Sequence, residues 1–195
     1  MTTPLRKDAA RNWDRIVGVG RALVDQGTPL QLNDVARRAG LGVGTVYRHF
    51  ATPEALLETL ATPCLEELTA HGERALADPD PWRALCEFLR RTVEAQIGDP
   101  ALAPVAAAAT DALPRTTDLK RTLHEVGTAL FDRAHAAGAI RPGVTAADLV
   151  PLMCGVAYAA TVHAPTATRA AQATTAHRYL TTLLEGLQSA PVPGG

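Results

Sequence analysis

The sequence predicts an all-α protein, with a small N-terminal helical domain followed by a larger helical part. Alanine is abundant and runs of β-branched residues are rare, which favours helix over strand. Apolar residues recur at the i, i+3, i+4, i+7 spacing of amphipathic helices. No internal repeat and no pair of strands stands out. With 195 residues, 47% of them hydrophobic and 20% charged, the chain has the composition of a globular protein with a core.

The first three helices are predicted from the local spacing of apolar residues and glycines. The first runs from about Lys7 to Gln26, because apolar residues keep helical spacing until Gly27, a natural stop. The second carries the apolar residues Leu32, Val35, Ala36 and Ala39 and ends at Gly40. After a two-residue turn, a third begins, with apolar residues at Val43, Val46, Tyr47 and Phe50. Two short amphipathic helices around a glycine turn predict a helix-turn-helix.

A fourth helix is predicted from Pro53 to about residue 71. Thr52 is a good N-cap, and proline suits the first helical turn. Pro63 interrupts the apolar pattern of this helix. It should kink or split the helix near Ala61 or Thr62, because proline lacks the N–H that the helix needs.

The rest of the chain is also predicted to be helical. Predicted helices cover 81–97, about 101–112, about 117–137, 145–163 and about 168–188. Pro114 is expected to close the second of these. Thr145 with Asp148 three residues later predicts a capping box. The tail at 191–195 is predicted to be disordered.

Charge is distributed unevenly. Residues 1–51 carry eight Lys or Arg and four Asp or Glu, a net of +4, whereas the remainder is −5 within a total of −1. A basic first quarter on an acidic body indicates that only one end meets a polyanion.

Several classes of protein are disfavoured. Three cysteines without metal-binding spacing predict neither a disulfide framework nor a zinc site. No cofactor, signal peptide or membrane span is expected, so the protein should be cytoplasmic. An enzyme is not expected, because no nucleophile has a plausible base and no paired carboxylates occur.

The predicted third helix has two different faces. Val46 and Phe50 should point inward, whereas Thr45, Arg48 and His49 share the opposite face and can reach phosphates or base edges. Glycines at the entry allow close approach to a nucleic acid backbone. The alternative is a surface helix with an incidental polar face. Nearby cations favour nucleic acid binding over an incidental polar face; they are Arg6, Lys7, Arg11, Arg15, Arg37 and Arg38.

The segment LNDVARRAGLGVGTVYRHFATPEALL resembles the DNA-binding segment of TetR-type bacterial transcriptional regulators. That family shows VA-x-x-AG, then V-x-x-GT-x-Y-x-x-F, then a helix that starts K-x-x-L. The matching positions are Val35, Ala36, Ala39, Gly40, Val43, Gly44, Thr45, Tyr47, Phe50 and Leu56. The resemblance covers about residues 9–60.

The resemblance implies a helix-turn-helix DNA-binding domain at 1–51 and a helical ligand-binding and dimerisation domain at 52–190. Such proteins are homodimers that bind a palindromic DNA operator, commonly as repressors, and release it when a small molecule binds. With Arg37 added for its charge, the expected DNA-binding residues are Asn33, Arg37, Val43, Gly44, Thr45, Tyr47, Arg48 and His49. Three positions depart from the family pattern: Gln31 is a poorer cap than Thr or Ser, Pro53 replaces a basic phosphate contact, and Pro63 is unexpected in the connecting helix.

The resemblance also implies a ligand pocket and a dimer interface. Large or soft apolar residues that could line an apolar pocket are Trp82, Cys86, Leu89, Phe131, Met153, Cys154 and Tyr158. His124 and His163 could hydrogen-bond a ligand. The last two helices should form the interface through Gly155, Ala159, Tyr179, Leu180, Leu183, Leu184 and Leu187. Both sets could instead be ordinary core packing within one subunit, and a regulator that is constitutive or answers to a protein partner is the functional alternative.

Overall fold

The structure, a computed structural model, describes residues 4–189, with side chains from residue 8 onward. Within that range the chain forms nine α-helices and a 3-10 turn at Ala146–Asp148. The helices are α1 Pro4–Asp25, α2 Leu32–Ala39, α3 Val43–His49, α4 Pro53–Ala75, α5 Pro81–Gly98, α6 Leu102–Ala107, α7 Pro114–Ala136, α8 Leu149–His163 and α9 Arg169–Leu187. The all-α prediction is confirmed. The tail at 191–195 lies outside the described residues.

The chain divides into two compact units. The first unit is Met1–Pro63 with Asp99–Thr117, and the second unit is Cys64–Gly98 with Asp118–Gly195. This division differs from the predicted boundary between residues 51 and 52. It falls inside α4, and it assigns α6 and its flanking loops to the same unit as the helix-turn-helix.

The turn that joins α2 to α3 depends on Gly40. This residue has φ +61°, a left-handed conformation that favours glycine. The Leu41 N–H donates to the carbonyl of Ala36 at 2.9 Å, which closes the helix end. The guanidinium of Arg15 on α1 donates to the carbonyl of Ala39. The end of α2 is therefore fixed to α1, and α3 leaves it in a defined direction.

Helix α4 begins as predicted and continues through its proline. The Ala55 N–H donates to the Thr52 hydroxyl at 3.1 Å, as an N-cap requires. The predicted split near Ala61 or Thr62 is wrong, since the helix is uninterrupted from Pro53 to Ala75. Pro63 is exposed, while Ala61 and Leu65 on either side of it are buried. Burial on both sides of the proline offsets the loss of one backbone hydrogen bond.

The segment after α5 differs most from the prediction. Helix α6 ends at Ala107 rather than at residue 112, and Pro114 begins α7 instead of closing the preceding helix. The Glu58 carboxylate accepts hydrogen bonds from the N–H of Ala112 at 2.6 Å and of Leu113 at 2.8 Å. These two N–H groups are thereby taken out of a continuing helix, and Pro114 suits the first turn of the next one. We call this arrangement the Glu58 clamp.

The core of the second unit is built from one face each of α5, α7, α8 and α9. Its largest fully buried side chains include Leu85, Leu89, Leu130, Met153 and Leu180. The predicted capping box is confirmed, because the N–H and hydroxyl of Thr145 both reach the Asp148 carboxylate at 2.8 Å. These hydrogen bonds lower the pKa of Asp148.

Replacing Glu58 with Gln should destabilise the protein. Glu58 is 4% exposed, and a Gln side chain has only one acceptor oxygen for two backbone donors. A buried donor left unsatisfied costs about 1–3 kcal/mol, so the urea unfolding midpoint should fall. The matched control is Glu73→Gln on the exposed side of the same helix, which should change little. Equal urea midpoints for the two variants would show that the Glu58 clamp does not contribute to the free energy of unfolding.

Candidate DNA-binding surface

Helix α3 is anchored along one side. Val46 is fully buried and Phe50 is 5% exposed, and the ring of Trp13 on α1 stacks on Phe50 with centroids 5.3 Å apart. The predicted inward face is confirmed. Because this side is fixed in the core, the opposite side of α3 has a defined orientation toward solvent.

The outer side of α3 carries the predicted contact residues. Val43 and Tyr47 are 47% and 48% exposed, although both are large and apolar or aromatic. Arg48 and Gly44 are also exposed, and Thr45 and His49 are partly buried. A guanidinium, an imidazole, two hydroxyl groups and an apolar side chain can together contact phosphates, base edges and thymine methyl groups.

Helix α2 adds two exposed residues, Asn33 and Arg37. Arg37 donates to the Asp34 carboxylate at 2.7 Å, and this bond with the charge of Arg37 lowers the pKa of Asp34. A phosphate would have to share Arg37 with this carboxylate. Arg48 has no such competitor among the ion pairs of the described residues, so it is the stronger anion-binding group of the two.

Among the other predicted cations, Arg38 is exposed on α2 and forms no ion pair with a described carboxylate, but the rest contribute less than their number indicates. Arg15 is committed to the Ala39 carbonyl, and Arg11 is paired with Asp8 one turn earlier. The side chains of Arg6 and Lys7 lie outside the described residues. Gln31 forms no side-chain cap on α2, as expected from its departure from the family pattern.

The predicted ligand residues fall into two groups. Leu89, Phe131 and Met153 are buried in the core of the second unit, and Trp82 and Cys86 pack against it. Burial raises the pKa of the Cys86 thiol to about 11. Cys154 is partly buried, with its Sγ 3.9 Å from Nε2 of Gln96. Tyr158 does not belong with them, because it is 69% exposed. His124 and His163 are exposed as well.

The predicted interface residues are also divided. Gly155 and Ala159 are exposed on α8, and Tyr179 and Leu183 on α9 are partly buried. The other α9 leucines of the predicted set are buried and pack inside the subunit; they are Leu180, Leu184 and Leu187. The apolar stripe on α9 predicted that these side chains are buried, but it did not predict which surface covers them.

Sequence reasoning missed the exposed apolar side of α8. Val150, Tyr158 and Val162 are 50%, 69% and 56% exposed. Among the described residues, 146–163 is the one stretch that is long and apolar enough, by length and composition alone, to cross a membrane; only 22% of it is buried. The signal was present in the sequence, since this stretch is apolar on more than one side.

No cluster of three or more potential metal ligands occurs among residues 4–189. None of the three cysteines forms a disulfide.

Two family models match the chain. The model for bacterial regulatory proteins of the tetR family matches residues 21–60. The model for the C-terminal domain of SbtR-like transcriptional regulators matches residues 80–189, which is more than half of the chain. Both describe transcriptional regulators and not enzymes, as the sequence led us to expect.

Individual relatives agree with these matches. The HTH-type transcriptional regulator SAR0097 of Staphylococcus aureus is 30% identical over 80 residues, which span 40% of this chain and only 42% of that protein. The TetR transcriptional regulator SCO0520 of Streptomyces coelicolor is 30% identical, with a TM-score of 0.57 over 91% of this chain and 99% of that one. The regulator FadR of Bacillus subtilis, solved in complex with stearoyl-CoA, has a TM-score of 0.63 over 90% of this chain and 99% of its own. At 15% identity it shows a shared fold alone.

Replacing Arg48 with Ala should weaken binding to a specific DNA site. We expect a loss of roughly 1–3 kcal/mol, concentrated on sequences with the base that Arg48 contacts. Fluorescence anisotropy with a DNA site selected for binding from a random pool, and with single-base variants of that site, would measure this loss. The matched control is Arg74→Ala, an exposed arginine at the end of α4 in the second unit. A uniform loss on all sequences would assign Arg48 to phosphate, and no loss at all would remove it from the surface.

Proposed function

Because the chain belongs to the TetR family of bacterial regulatory proteins, we propose that it is a ligand-responsive repressor that binds a palindromic operator as a homodimer. The observation that carries this proposal is the two-sided α3, whose inner side is buried while Tyr47 and Arg48 face solvent. The proposal places DNA binding in the first unit, effector binding in the second unit, and the protein in the cytoplasm.

DNA recognition would use the outer side of α3 in the major groove. We assign direct contacts to Thr45, Tyr47, Arg48 and His49, with Val43 and Gly44 at the entry of the helix. Asn33 and Arg37 on α2 would bind the flanking backbone. Two copies related by a two-fold axis would read half-sites separated by about 34–36 Å or a multiple of that distance.

The dimer would form through the exposed apolar side of α8. Val150, Tyr158 and Val162 supply the apolar area, and Gly155 and Ala159 between them allow a second helix to approach closely. The opposite side of α8 packs in the core of its own subunit through Leu149, Met153, Ala157 and Ala160. A helix held in this way on one side, and apolar on the other, suits a subunit interface better than a lipid bilayer.

The effector would be a small apolar molecule bound among α5, α7 and α8. The residues proposed to line the site are Trp82, Cys86, Leu89, Phe131, Met153 and Cys154, which are buried or partly buried in the second unit. Large and soft side chains can repack around a ligand. The raised pKa keeps the Cys86 thiol uncharged at neutral pH, so it presents an apolar surface.

Coupling between the effector and DNA would pass along α4. This helix belongs to both units, since the division between them falls after Pro63. The Glu58 clamp ties the loop before α7 to the half of α4 that lies in the first unit. A shift of that loop would therefore move α4 within the DNA-binding unit.

Replacing Tyr158 with Asp should disrupt the dimer. An unpaired charge at the centre of an apolar interface is costly, whereas Tyr158 makes little contact within its own subunit because it is 69% exposed. Light scattering after size-exclusion chromatography should show a monomer, and operator affinity should fall at least tenfold. The control is Ala77→Asp, an exposed position in the turn after α4. A Tyr158→Asp protein that remains dimeric would place the interface elsewhere.

The function is tested with duplex DNA. Purified protein should bind a fragment from beside its own coding region saturably, with two chains per site, in the presence of nonspecific competitor. Affinity should fall steeply with salt, because phosphate contacts release counterions. If neither that fragment nor selection from a random pool yields a specific site, the proposal is wrong. Thermal stabilisation by small molecules would separate the ligand-responsive regulator from a constitutive or partner-dependent one.

A further inference from the structure

A cleft of about 500 Å³ lies in the first unit, beside the C-terminal end of α3. Trp13 of α1 lines it together with Tyr47, Arg48 and His49 of α3, and the loop before α7 contributes Ala112 and Leu113. Its volume is in the range of small-molecule sites, which is roughly 300–1,000 Å³. It shares Tyr47, Arg48 and His49 with the proposed DNA-binding surface, but Trp13, Ala112 and Leu113 have no role in that surface or in the proposed effector site.

The charge of the cleft has one sign. None of the residues that line it is Asp or Glu. Arg48 and His49 supply a guanidinium and an imidazole, and neither forms an ion pair with a described carboxylate. The Glu58 carboxylate belongs to the same unit, but both of its oxygens are occupied by backbone N–H groups. Within the lining itself, Arg48 is therefore a cation that no carboxylate pairs with, and it can bind a negative group.

Most of the rest of the lining is aromatic or apolar, with two threonines, Thr52 and Thr59. Trp13 and Tyr47 provide ring surfaces, and Leu113 provides an aliphatic one. A bare phosphate or sulfate would leave these surfaces in water. A flat aromatic group that carries a carboxylate would use both parts of the cleft, with the ring against Trp13 and Tyr47 and the anion on Arg48.

Two parts of the cleft wall, the Trp13 ring and the backbone at Ala112 and Leu113, are held in place by specific contacts. Trp13 is stacked on the buried Phe50, and the Glu58 clamp fixes the backbone at Ala112 and Leu113. Preformed walls reduce the entropic cost of binding.

We propose that this cleft binds a small aromatic carboxylate, and that a ligand there excludes DNA. Tyr47, Arg48 and His49 belong to both the cleft and the proposed DNA-reading face, so one arginine cannot serve a carboxylate and a base at the same time. This site is separate from the effector site proposed in the second unit. Its ligand binding does not depend on that effector site, although the exclusion of DNA rests on the proposed function.

The test compares three probes on the full chain by isothermal titration calorimetry. They are 2-naphthoate, its neutral counterpart 2-naphthamide, and inorganic phosphate. We expect one saturable naphthoate site per chain, with the amide and phosphate each weaker by about tenfold or more, because the amide lacks the charge and phosphate lacks the ring.

Two variants and one control locate the site. Ala112→Trp places a bulky side chain in the cleft from an exposed position and should abolish naphthoate binding, while Ala109→Trp in the same loop lies outside the lining and should not. Arg48→Gln should also abolish it, which provides a second test if Ala112→Trp fails to fold. Circular dichroism checks the fold of each variant.

Four results would overturn the proposal: no saturable naphthoate binding, equal binding of the amide, equal or stronger binding of phosphate, or naphthoate binding that persists in a folded Ala112→Trp or Arg48→Gln protein. For DNA, naphthoate should raise the apparent Kd of the operator for the unmodified chain but not for Ala112→Trp. If the chain binds naphthoate as expected but no DNA, the proposed function fails while the site stands. If naphthoate binds without affecting operator affinity, the exclusion of DNA is refuted.

Discussion

The orientation of α3 depends on the burial of Val46 and Phe50, and most of what the first unit can do follows from it. Phe50 is held by the stacked ring of Trp13, and the turn before α3 is set by the left-handed Gly40. With seven residues, α3 is too short to be stable by itself, so tertiary packing must supply its stability. Because packing of the inner side stabilises the helix, Tyr47 and Arg48 on the outer side can contact a partner.

The same unit shows why net charge is a coarse guide to where an anion will bind. The first 51 residues have a net charge of +4, yet several of their cations already have structural roles. Arg15 closes the end of α2, Arg21 binds the Asp99 carboxylate and the Leu60 carbonyl, and Arg37 shares its charge with Asp34. The positive charge left for an external anion is consequently carried by fewer groups than the count indicates, with Arg48 on α3 and Arg38 on α2 exposed and without a paired carboxylate among the described residues.

The elements that could be predicted from the sequence are those governed by neighbours along the chain. Glycine stops, the Thr52 cap and the Thr145–Asp148 box act within four residues, and the structure confirms them. The path of the chain just before α7 could not be predicted, because Ala112 and Leu113 donate to Glu58, more than fifty residues earlier in the chain. The prediction that α4 splits failed for a similar reason. The local effect of Pro63 was outweighed by the burial of the residues on both sides of it. The exposed side of α3 was predictable because polar and apolar positions recur with helical periodicity, whereas the cleft beside it joins residues from distant segments.

The exposed side of α8 shows how stability and symmetry can have one cause. An apolar stripe predicts that a face leaves water but not what covers it; the stripe on α9 is covered within the subunit, and Tyr158 and Val162 are not. Apolar area left in water forgoes about 25 cal/mol for each Å² that could be buried. A second copy of α8 can cover this apolar area across a two-fold axis, where the same residues of both copies face each other. A palindromic operator requires that same two-fold symmetry of the protein, so the surface that stabilises the pair would also allow both copies of α3 to bind equivalent half-sites.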